Sequence, residues 1–281
     1  LYTCRFGEAN LSENYLTDAL GLKNILHMAR TSDHIPQIGA PLIQSTPATA
    51  EVLVVCEHAS NFIPDHYGDL GLTAAQKASH IAWDPGAMGV AQALAERLNA
   101  PLVAGGQSRL VYDLNRPTDA KSAIPERSEI HEIPGNHGLS KTERQNRIAQ
   151  VHAPFYAALV ETLTERRAHL KLLVTLHSFT PVFKGERRAV ELGILHGKDT
   201  DFARAMLAQT PSTFPFNVQL NQPYSAADGV AHTLDEHGHK NALLNVMLEI
   251  RNDLIATDTQ QAEWGALLAP WLTRTLQEVR S

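Results

Sequence analysis

Val52-Leu53-Val54-Val55-Cys56-Glu57-His58-Ala59-Ser60-Asn61 is the stretch that decides the fold. Its apolar opening is short and β-branched, which suits a strand covered on both faces and is too brief for a buried helix. The polar run follows without a break, at what would be the carboxyl end of that strand. Leu172 to Leu176 repeats the pattern and leads into His177-Ser178-Phe179. Ala242 to Ile250 reads as a third strand, ending in Glu249-Ile250-Arg251-Asn252-Asp253, and Leu192-Gly193-Ile194-Leu195 as a fourth. Helical spacing of apolar residues marks Gly86 to Leu98, Lys141 to His169, Asp201 to Ala208 and Gln261 to Val279. Such alternation predicts an α/β fold, a mostly parallel sheet flanked by helices on both faces.

Outside these elements the pattern changes. Residues 1–50 read as a leader or extended arm, since Ile35 to Ala50 is rich in Pro, Ser, Thr and Gly without periodicity, and residues 51–281 read as one domain. The first methionine is Met28, so part of Leu1 to His27 is a candidate upstream extension of the reading frame, the alternative being an ordered helix over Tyr15 to Met28. Pro117 to Ser140 is long, charged and Pro/Gly-rich, and is expected to form a loop over the site. Ser140 and Glu143 have the spacing of a capping box for the helix that Lys141 opens.

Composition narrows the function. With 43% hydrophobic residues in 281, the chain needs no disulfide staples, and two cysteines, Cys4 and Cys56, point to a reducing cytoplasm. A net charge of −6, from 24 basic and 30 acidic residues, supplies no general field for nucleic acid or an anionic membrane. No apolar run reaches the length of a membrane helix.

Ligands of open α/β sheets sit at the carboxyl ends of strands. Three such ends here carry chemistry-capable groups. His58 and His177, at two of them, are candidate imidazole ligands of a divalent metal ion, zinc first, for which three protein ligands leave one position open. The third ligand is expected to be Asp84, in Trp83-Asp84-Pro85-Gly86, with Glu57 as the alternative. Asp84 also suits an N-cap, and Glu57 should leave the opposite face of its strand from His58. Glu249 reads as the general base for the attacking water, against a salt bridge to Arg251. Arg109 and Arg116 bracket an apolar segment, and with Arg251 they are candidate carboxylate forks. Tyr224, in Asn221-Gln222-Pro223-Tyr224-Ser225, offers a hydroxyl to close on a substrate.

Assembled, these residues resemble the N-formylglutamate amidohydrolase family from Glu51 to about Leu254. The resemblance rests on Cys56 to Asn61, His80 to Ala87, Arg109 to Pro117, Ile133-Pro134-Gly135-Asn136, His177 to Pro181 and Glu249 to Leu254. It implies a zinc-exopeptidase-like (phosphorylase/hydrolase-like) architecture and metal-dependent cleavage of an N-acyl acidic amino acid, as in N-formyl-L-glutamate to formate and glutamate, within amino-acid catabolism. It further implies His58, Asp84 and His177 on the metal, Glu249 on water, and Arg109, Arg116 and Arg251 on the substrate carboxylates; Asn115, Ser178 and Tyr224 are further candidate contacts to a small acidic substrate. Asn241-Ala242-Leu243-Leu244-Asn245 departs from the Gly-Leu-Pro pattern expected before the last strand. Two rivals share these residues: a metal-dependent amidase or carboxypeptidase on peptide or cell-wall fragments, and a non-catalytic binder of small acidic ligands.

Overall fold

A computed structural model describes residues 39–280 apart from 45 and 47. The expectations for Tyr15 to Met28 and for the reading frame lie outside the described residues. Seven strands form the central sheet: β1 (Leu42–Gln44), β2 (Val52–Cys56), β3 (Leu102–Ala104), β4 (Leu172–Phe179), β5 (Leu192–Leu195), β6 (Val218–Leu220) and β7 (Leu244–Arg251), in the order β1-β3-β2-β4-β7-β5-β6. β3, β2, β4 and β7 run parallel. β1, drawn from the segment read as an arm, pairs antiparallel with β3, and β5 pairs antiparallel with β7.

The sheet is thus mostly parallel, with a reversed edge whose cause is chain length. Between β4 and β5 lies only a short hairpin, Val182–Phe183 against Glu186–Arg187, where a parallel return needs a longer crossover. β1, β3 and β6 are three-residue strands that no periodicity in the sequence announces.

Strand alternation builds a core on each face. Val52, Val54 and Cys56 pack with residues of α2 (Ala87–Leu98), α5 (Asp201–Ala208) and α6 (Asp258–Val279), while Leu53 and Val55 pack with α4 (Ala153–Glu165). The earlier helices are α1 (Ala74–Ala78) and α3 (Lys141–Arg147). The expected helix over Lys141 to His169 divides: α3 passes through a π turn, Ile148–His152, into α4, which ends at Glu165. Pro154 explains the division, because it has no N–H to continue the ladder and is tolerated in a first helical turn. Ser140 and Glu143 do form the capping box. Among the described residues no helix is long and apolar enough to cross a membrane.

Candidate active site

Three strand ends and one loop converge. In the parallel register Glu249 of β7 lies directly beside His177 of β4, so both side chains leave the same face of the sheet. His58 follows the end of β2. Asp84 comes from the loop ahead of α2, and its backbone N–H donates to the His58 carbonyl at 2.9 Å. The turn after Asp84 needs Gly86, whose φ is +81° and where a Cβ would run into the Ile255 carbonyl. Gly86 is also the residue at the N-cap position of α2, leaving the Asp84 carboxylate free of capping duty.

His58, Asp84 and His177 are buried, and each offers a ligand atom within 4.8 Å of the others. Asp84 Oδ2 accepts from His177 Nδ1 at 2.9 Å and lies 3.4 Å from His58 Nδ1. On their far sides both imidazoles meet carboxylates. His58 Nε2 donates to Asp113 Oδ1 at 2.7 Å, and His177 Nε2 lies 3.1 Å from Glu57 Oε2, an ion-pair contact out of line for a hydrogen bond. A carboxylate behind an imidazole fixes its tautomer and makes the inner nitrogen a better donor to metal. His58 Nδ1 is buried without a hydrogen-bond partner. A cation between these atoms would satisfy it, so the donor set fits a divalent metal.

The protonation states follow from this packing. Burial opposes the charged form of Asp84, yet His58, His177 and Arg109 outweigh it and hold the carboxyl well below its ordinary range. Burial likewise opposes the ionised Asp113, and His58 and Arg109 again prevail. His177 is disfavoured as a cation by burial, but Glu57 and Asp84 push it well above the usual imidazole value. Glu249 goes the other way. Burial, reinforced by the negative Asp84, raises it to about 7 against the pull of His177 and Arg109. A carboxyl poised there can take and return a proton near neutrality.

The cluster opens into a cleft of about 290 Å³ whose wall includes His58, Asp84, Arg109, His177, Tyr224 and Glu249. Arg109 donates to Asp84 Oδ1 at 3.2 Å and Asp113 Oδ2 at 3.1 Å. Arg116 and Asn115 also line the cleft while holding its far loop: Arg116 donates to the Gly229 carbonyl, and Asn115 donates to Val230 and accepts from the Thr233 N–H. Ser178 lines it too, its hydroxyl donating to the Pro85 carbonyl. Tyr224 accepts from Arg188 at 3.1 Å.

One expectation is corrected and one alternative is set aside. Arg251 is not on the cleft wall: it is buried and donates to Asp253 Oδ1 at 2.7 Å, Glu191 Oε1 at 3.1 Å and the Arg188 carbonyl, which consumes its fork at the sheet end and leaves Glu249 without that salt bridge. Glu57 is not in the three-residue cluster, because strand alternation carries it to the face of Leu53 and Val55, behind His177. Sequence reasoning passed over Asp113, although its spacing of four from Arg109 was a signal. It also assigned no role to His80 and Glu129, paired at the cleft rim at 2.9 Å.

An α/β sheet that gathers two imidazoles and two carboxyl groups in one cleft carries the groups that hydrolytic chemistry uses. Residues 50–256 match the model of the N-formylglutamate amidohydrolase family. The chain belongs to that family, whose members act on an amide C–N bond. The crystal structure of gene product Atu2144 from Agrobacterium tumefaciens is 46% identical with a TM-score of 0.83, over 86% of this chain and 97% of that one. N-formylglutamate amidohydrolase from Ralstonia eutropha JMP134 shares the fold at 17% identity and a TM-score of 0.62, over 86% of this chain and 99% of its own. A search of curated proteins returns no match.

Proposed function

We propose that the chain is a divalent-metal-dependent deacylase of N-acyl acidic amino acids, with N-formyl-L-glutamate as first substrate and formate and L-glutamate as products. The observation that carries the reading is the unpartnered, buried His58 Nδ1 facing Asp84 in the cleft that also holds Glu249. In this reading His58, Asp84 and His177 hold the metal, zinc first. A divalent cation bound there supplies Lewis acidity to the scissile carbonyl and to water.

The chain's own residues do the rest. Glu249 takes a proton from the attacking water and passes it to the leaving nitrogen, a role its pKa of about 7 supports. Arg116 receives the substrate α-carboxylate, while Arg109, tied to Asp84 and Asp113, sets the orientation of both. Ser178 and Tyr224 complete the wall. A small substrate is favoured over a peptide because the segment 117–140 sends Ser128 and Glu129 into the cleft wall instead of leaving an open groove. The cysteine content fits a cytoplasmic setting.

The test is formate release from N-formyl-L-glutamate by protein purified without chelator, beside a chelated sample and one restored with zinc or cobalt. Chelator-sensitive, metal-restored release is expected. Absence of release in every arm from folded, metal-loaded protein discards this substrate.

A further inference from the structure

The cleft has a shortage of free positive charge. A dicarboxylate needs two partners, yet of the basic groups on the wall His58 and His177 belong to the buried cluster and Arg109 is bound to two aspartates. Arg116 donates through Nη1 to the Asn115 and Gly229 carbonyls and lies 3.9 Å from Asp113 through Nε, which leaves Nη2 for one carboxylate. The remaining basic side chain on the wall is His80.

His80 already holds a carboxylate. Its Nε2 lies 2.9 Å from Glu129 Oε1, and both side chains are about one third exposed, at 33% and 30%. Glu129 arrives from the tip of the hairpin formed by Arg127–Ser128 and His131–Glu132. Its φ is +53°, at the first residue of a two-residue turn, where glycine is the favoured occupant. A carboxylate is therefore presented at the rim from a backbone position that disfavours any side chain. Asp228, the other acid at this rim, is occupied with the Ser225 N–H and hydroxyl.

We infer that His80 is the receptor for the substrate's distal carboxylate, and that Glu129 is an internal surrogate which the substrate displaces. The inference rests on the deacylase reading of the same cleft. It sharpens that reading by assigning the two carboxylates to two places, one at Arg116 and one at His80. The exchange is balanced: one carboxylate leaves the imidazole Nε2 as another arrives. The pair is weak enough to open, since a partly exposed ion pair is screened by water.

The experiment compares kcat/KM of the metal-loaded full chain on N-formyl-L-glutamate and on N-formyl-L-glutamine, which keeps the length and replaces the distal carboxylate by an amide. Wild type is expected to prefer the acid. His80→Ala should cut the acid-to-amide ratio by about tenfold or more, mostly through KM, as loss of a charge-assisted hydrogen bond does. Glu129→Gln should raise the ratio by lowering KM for the acid, an effect that a purely structural staple between hairpin and loop would not give. An unchanged ratio in His80→Ala, or a lower one in Glu129→Gln, overturns the assignment.

If wild type releases formate from neither compound, the deacylase substrate is wrong, and calorimetry with glutarate and glutaramate judges His80 separately. Tighter binding of glutarate, lost in His80→Ala, upholds the receptor. Equal binding of the two to wild type refutes it.

Discussion

Of two imidazole–carboxylate pairs, one is buried behind the cleft and one stands on its rim, and water makes them different objects. His58 with Asp113, at 2.7 Å, is 3% and 6% exposed; His80 with Glu129, at 2.9 Å, is 33% and 30% exposed. The rim pair is worth between zero and about 1 kcal/mol, and solvent stands ready to replace either member. The buried pair has no such substitute, and removing one partner of a buried ionic contact typically costs about 3–5 kcal/mol. The same two functional groups thus serve opposite ends. Inside, they lock the geometry of His58 Nδ1, the atom that faces a cation in the proposed function; at the rim, they form the contact that we infer a substrate carboxylate takes over.

The largest effect should come from deleting a buried imidazole. His177→Ala removes one of three candidate ligand donors and leaves Glu57 and Asp84 facing each other across the gap. Activity and bound metal should fall together, activity by about 10³-fold or more given the several kcal/mol a Lewis acid contributes. Metal analysis by mass spectrometry beside the formate assay checks this, and an active, metal-replete variant removes His177 from the cluster. A milder change sharpens the contrast between pairs. Asp113→Asn keeps the shape behind His58 but withdraws the charge, and metal affinity should weaken by about 10- to 100-fold. Competition against a chromophoric chelator measures it; an affinity within twofold of wild type would make Asp113 a bystander.

How much of this was visible in the sequence depends on how local the cause is. The strand ends that carry His58, His177 and Glu249 were legible because an apolar run followed at once by polar residues is a local signal. The helix over Asp201–Ala208 and the capping box at Ser140 were legible for the same reason. β1, β3 and β6 were not, since three residues carry no periodicity and pair only because neighbours present an edge. The reversed β5 was hidden in a connection length. Within the site, Arg251 looked free because its acids include Glu191, sixty residues away in sequence. The Glu57 placement was half legible: alternation fixed its face, but only folding shows that His177 stands in front of it. Ala242 shows the reverse, a departure that could be named and not interpreted. It adopts φ +54°, a conformation that costs a β-carbon and that glycine takes freely.

Glu249 is the third case, a buried acid with no imidazole of its own, and it gives the smallest prediction. One of its oxygens is buried without a hydrogen-bond partner, and its pKa in the fold, about 7, lies above the ordinary 4.5. Well below pH 4.5 the group is protonated in folded and unfolded chains alike, so the fold bears no penalty. As pH rises from there to about 7 the unfolded chain gives up its proton while the folded chain retains it, and stability is lost progressively; above 7 the full cost is present. That cost is about 3 kcal/mol from the size of the shift. Glu249→Gln removes the titration. In chelator, its melting temperature should match that of wild type near pH 4.5 and exceed it by a few degrees at pH 8. A difference that stayed constant across this range would show that Glu249 does not change its charge there. Adding metal should narrow the gap at pH 8, because a cation beside the carboxylate offsets part of what burial costs it.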